Sequence, residues 1–148
     1  LAVAVNFDVL AARLVFMVTL DSFRIFLHVL AVCGWVGGQL LMVALVPLLR
    51  SISPEAPRLA AARFGRFAWT FLALALFTGL WNLLAVDLST RDSSYHVALL
   101  LKLLLVGVSG ASAAAHSATN SVAVRAITGA LGLLTALGAL FAGAVLVS

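Results

Sequence analysis

Residues 25–49 read IFLHVLAVCGWVGGQLLMVALVPLL, and no Asp, Glu, Lys or Arg interrupts them. A helix needs ~20 apolar residues to cross a ~30 Å hydrocarbon core, so a charge-free run of this length predicts a membrane-spanning helix. Three further stretches repeat the pattern. Spans are expected at about 22–49, 67–86, 96–118 and 126–147. Helices satisfy their own backbone groups, which a bilayer interior demands. The expected fold is all-α: an integral membrane four-helix bundle, forming one transmembrane domain over 1–148.

Composition leads the same way. Hydrophobic residues make up 64% of the 148 and charged residues 9%, with a mean hydropathy of +1.21. A soluble domain carries about 25% charged residues. The lipid bilayer is therefore the expected partner over most of the surface. The net charge of +4 comes largely from arginines beside apolar spans. That placement orients a chain in a membrane and gives no reason to expect nucleic acid.

The first stretch, LAVAVNFDVLAARLVFMVTLD, is apolar but carries Asn6, Asp8 and Arg13. It is expected to form an N-terminal interfacial helix or an extension of the first span. The sequence opens on Leu1 rather than Met, which points to an upstream portion. The basic, apolar and small-residue order of a cleavable signal peptide is not seen.

Loop charges predict the orientation. Arg50, Arg58, Arg63 and Arg66 surround Glu55 between spans one and two, and Arg125 lies between spans three and four. Asp87 and Asp92 outnumber Arg91 in the opposite loop. Basic loops favour the cytoplasmic side. The Arg-rich loop 50–66 is expected there, and both ends of the four-span core outside.

Polar residues inside the spans are the candidates for chemistry. At 100° per residue, Arg24, His28, Trp35, Gln39 and Met42 fall within about 40° of one line on the first helix. An intramembrane histidine is costly unless it is paired, ligated or facing a cavity. His28 thus reads as a metal or heme ligand, or as a hydrogen-bonding link to a neighbouring helix. Gly34, Gly37 and Gly38 bracket Trp35 and leave room for a helix or a flat ligand. Cys33 points about 140° from His28 and is a poor co-ligand.

Lys102 sits within LLLKLLL in the third span. It either snorkels to the outer surface or meets an anion, such as a carboxylate or a heme propionate. His28 and Lys102 fall at similar outer depth, which makes them the expected nucleus of a site. Trp35, Gln39, Trp81 and Asn82 are its expected walls. His96 lies at the outer boundary, ~9 Å of helix rise from Lys102, and is a further candidate metal ligand, as is Met42. His116 is ~30 Å from His96 along the same helix, so the two cannot share an ion. The fourth span, ITGALGLLTALGALFAGAVL, places Gly129, Gly132, Ala136, Ala139 and Gly143 near one face, a pattern for close helix packing.

Three segments carry a family resemblance: FLHVLAVCGWVGGQLLMVALVPLLR, RFGRFAWTFLALALFTGLWNLL and YHVALLLKLLLVGVSG. A histidine precedes Trp-x-Gly-Gly, Arg-Phe precedes a span ending Thr-Gly-Leu, and a lysine lies in a leucine-rich span. In that order the chain resembles the CopD-like superfamily of bacterial membrane proteins. The resemblance implies copper handling or transport across the inner membrane, with copper as the metal and a periplasmic copper chaperone as a partner. The chain is also similar to the HemJ-type protoporphyrinogen oxidase branch, through His28, Lys102 and His116. That likeness implies heme b and a membrane redox partner. VALVPLLR stands where that branch closes its first span with a tyrosine and a further histidine. Three functions remain open: copper handling, a heme-bearing redox protein, and an accessory subunit of a larger membrane complex or homo-oligomer. Enzymatic activity is left undecided.

Overall fold

The computed structural model describes residues 20–147. The expected N-terminal interfacial helix falls in residues 1–19, outside the described residues. Four helices follow one another: α1 (Leu20–Ile52), α2 (Ala56–Leu84), α3 (Ser93–Ala118) and α4 (Val122–Val145). A single 3-10 turn, Leu88–Thr90, lies between α2 and α3, and there is no strand among the described residues. All four helices are long and apolar enough to cross a membrane.

Local sequence sets the helix ends. Asp92 accepts from Tyr95 N–H to cap α3, Ser121 accepts from Val124 N–H to cap α4, and a proline stands in the first turn of α2. Asp87 caps the 3-10 turn through Ser89 N–H. Both loop carboxylates are held below the usual carboxylate range. The Ser89 hydroxyl and then its N–H do so for Asp87; Tyr95 N–H and then the Ser94 hydroxyl do so for Asp92. Helix α2 begins at Ala56, before the span expected from about residue 67. The arginines of 56–66 depress hydropathy, but Ala and Arg are strong helix formers, so the helix continues through them.

The short connections make sequential helices antiparallel neighbours. Helices α1 and α2 form one hairpin and α3 and α4 the other, and α1 also packs on α4. Trp35, Val36, Ala68, Leu72 and Ala136 form the buried centre. The small-residue face of α4 meets α3. A methyl on Gly132 would lie 3.5 Å from Ser112 Cβ, and Gly129 and Gly143 lie against His116 and Lys102.

The outside is apolar. Leu100 is 70% exposed and Phe141 72% exposed, among many others. Contiguous apolar surface on this scale is not tolerated in water. With four spanning helices behind it, the surface is that of a multi-span α-helical membrane protein.

Candidate functional site

The inner face of α1 carries a ladder of polar contacts: Arg24 and His28 reach α2, and Trp35 reaches α3. At the top, Arg24 is 8% exposed. Its Nη1 donates to the carbonyls of Asn82 (3.1 Å) and Trp81 (3.4 Å), and its Nη2 meets Asp21 Oδ1 at 3.0 Å. The last carbonyls of α2 carry the negative end of the helix dipole, and Asn82 O also accepts from the capping Ala85 N–H at 3.3 Å. Arg24 therefore closes α2. The expected wall residues Trp81 and Asn82 take part through their backbone oxygens.

One turn deeper, His28 Nδ1 lies 3.0 Å from Thr78 Oγ1. The ring rests on Gly79, where a methyl would come within 3.2 Å of Cε1. With Nδ1 turned to α2, Nε2 is the nitrogen that can face a ligand. Lys102 stands on α3, in the other hairpin. Its side chain runs along Gly143, with Nζ 3.1 Å from the point a methyl there would occupy. Gly143 belongs to the last turn of α4, so the ammonium sits by the negative end of that helix. His28 and Lys102 thus lie on separate hairpins, each towards the end of the bundle that carries Asp21, Asp87 and Asp92.

Trp35 is further in and 7% exposed. Its Nε1 donates to Ser109 Oγ at 3.3 Å, and that hydroxyl donates to Gly132 O at 3.0 Å. Three helices are joined by these two bonds. Gln39 donates back to Trp35 O at 3.1 Å. Trp35 and Gln39 therefore lie below the His28 region as a structural tie.

The other candidates stand apart. Met42 is fourteen residues from His28 on the same helix, ~21 Å of rise, too far to share an ion with it. Exposed His96 has Nδ1 2.7 Å from Asp92 O, within its own first turn. His116 Nδ1 contacts Arg125 O at 2.9 Å and ties α3 to α4. Cys33 is exposed on the apolar face. Among the described residues no three His, Cys, Asp or Glu side chains form a group suited to a metal ion.

The glycines beside Trp35 are filled rather than vacant. A methyl on Gly34 would meet the Phe71 ring at 2.5 Å, and one on Gly38 would strike Phe64. Only Gly37 of the three faces open space. A flat ligand does not lie against Gly34 or Gly38. Thr78 donates to its own i−4 carbonyl, Leu74 O, at 2.7 Å. Its contact with His28, fifty residues away, has no signal in local spacing.

No family model, curated protein or solved structure matches the chain.

Proposed function

We propose that this membrane protein holds heme b through His28 Nε2, with Lys102 binding a propionate carboxylate. The carrying observation is the donor set. His28 is anchored through Nδ1, and among the described residues no group of three His, Cys, Asp or Glu side chains forms a metal cluster. Copper bound by protein alone calls for several nitrogen or sulfur donors. A porphyrin brings its own nitrogens and asks the protein for an axial ligand. The residues present suit that demand: a neutral imidazole to donate and an ammonium to meet a carboxylate. When bound, heme supplies one-electron chemistry. The chain's part is to orient the imidazole through α2, neutralise a carboxylate with Lys102 and exclude water with its apolar surround. The protein works in the bacterial inner membrane with loop 50–66 on the cytoplasmic side.

Copper handling is the second reading. Its support is the motif order around His28, Trp35 and Lys102. It requires a second copy of the chain or a periplasmic chaperone to supply further donors, since Met42 and His96 do not join His28. An accessory subunit of a larger complex is the third.

The test is metal analysis with an oxidised-minus-reduced spectrum of the purified protein, its His28→Ala variant and its Lys102→Met variant. A b-type spectrum lost in His28→Ala with helicity retained is expected. Stoichiometric copper without heme, lost in the same variant, would establish the second reading. Unchanged metal and heme content in both variants would leave the accessory subunit.

A further inference from the structure

We infer that Thr78 is a positioning residue that holds His28 as the Nδ1–H tautomer and so fixes Nε2 as the nitrogen left to take a metal. The metal-binding half rests on the function proposed above; the tautomer half does not.

Thr78 is 0% exposed. Its hydroxyl has one hydrogen, and Oγ1 stands 2.7 Å from Leu74 O, a group that can only accept. The hydroxyl hydrogen is committed there. The 3.0 Å contact with His28 Nδ1 must then run the other way, from ring N–H to hydroxyl oxygen. A neutral ring protonated at Nδ1 carries its lone pair on Nε2. A histidine side chain in water prefers the Nε2–H tautomer, so the buried threonine reverses the ordinary preference. Gly79 makes the approach possible, because a side chain there would press on Cε1 and Nδ1 at 3.2 and 3.7 Å. The chain Nδ1–H to Oγ1–H to carbonyl is a hydrogen-bonded series in which each member polarises the next. A hydroxyl partner leaves the ligand a neutral imidazole, whereas a carboxylate would raise its basicity. The Ala75 carbonyl borders the same ring and is the competing acceptor.

The tautomer can be read directly by 15N NMR of the full chain in lipid nanodiscs without heme, labelled at histidine and assigned with His28→Ala. The expected result is Nδ1–H for His28. In Thr78→Val the tautomer ratio should fall by about fivefold to tenfold, the worth of one hydrogen bond, and Thr78→Ser should restore it. Nε2–H in the unaltered protein would overturn the inference, and this measurement stands even if Thr78→Val does not fold. An unchanged ratio in folded Thr78→Val would also overturn it and assign the role to Ala75 O. In heme-loaded protein, Thr78→Val should shift the Soret band and the midpoint potential, with recovery in Thr78→Ser. Unmoved values would refute the positioning role. Failure to bind heme would strike the proposed function while the NMR result still decides the tautomer.

Discussion

Replacing Gly34 by alanine tests whether the glycines of the Trp-Val-Gly-Gly segment serve packing. The new methyl would lie 2.5 Å from both Cδ1 and Cγ of Phe71 and 2.6 Å from Cδ2. Cγ moves only when χ1 changes, so the ring cannot clear the methyl by turning about its own axis. Overpacking of this kind costs about 1–3 kcal/mol, and the fixed ring places it at the upper end. Alanine regains about 1 kcal/mol of helix propensity. The net expectation is a loss of about 2 kcal/mol. Gly37→Ala is the internal control, since nothing lies within 4 Å of its methyl. It should stabilise by about 0.5–1 kcal/mol. Gly38→Ala should fall between them, because its methyl meets the far edge of Phe64, which can rotate away. The assay is chemical unfolding in one detergent, followed by far-UV circular dichroism and by tryptophan fluorescence. Trp35 and Trp69 lie 6.4 Å apart across the hairpin and report its opening. If Gly34→Ala proved as stable as Gly37→Ala, the packing account of this segment would be wrong, and its glycines would again be free to border a flat ligand.

Ser109→Ala should cost about 1–3 kcal/mol by leaving buried Trp35 Nε1 without its acceptor, read in the same unfolding assay; unaltered stability would mean the tie across α1, α3 and α4 contributes little. For topology, Pro54→Cys and Ser93→Cys in a Cys33→Ala background should differ in intact cells, with Ser93→Cys labelled by an impermeant reagent and Pro54→Cys protected. The reverse pattern would invert the orientation.

The fold was legible because four apolar runs of spanning length leave a chain few alternatives in lipid, and helices are the one open structure that pairs its own backbone. The start of α2 was not, because hydropathy marks where a helix enters the membrane and says nothing of where it begins; Arg58 and Arg63 end the first and continue the second. At the site, His28 and Lys102 were legible by cost, as ionisable groups among leucines. Their surroundings were not. Spacing puts Trp35 and Gln39 on the line of His28, but Trp35 turns to Ser109 and Gln39 back to Trp35 O. Arg24 also lies on that line, yet its task at the end of α2 depends on a carbonyl 58 residues away. The rings that fill Gly34 and Gly38 belong to another helix and are not written in the glycines.

The bonds from Trp35 to Ser109 and Gly132 mark one level through α1, α3 and α4, and the helices can be measured outward from it. Towards the aspartate end, Leu20, Ser93 and Val145 lie ~22, ~24 and ~20 Å away at 1.5 Å per residue. That end is nearly flush. Towards the arginine end, α1 continues to Ile52, ~25 Å away, whereas α3 stops at Ala118 and α4 begins at Val122, ~14 and ~15 Å away. The first hairpin is therefore taller than the second by about 10 Å, with Arg50 near its tip. A bilayer that fits one hairpin is mismatched to the other along their shared seam. It must thicken around the first or leave the tip among the headgroups, where an arginine favours anionic lipid. The described helices thus end nearly level on the aspartate side and stepped on the arginine side.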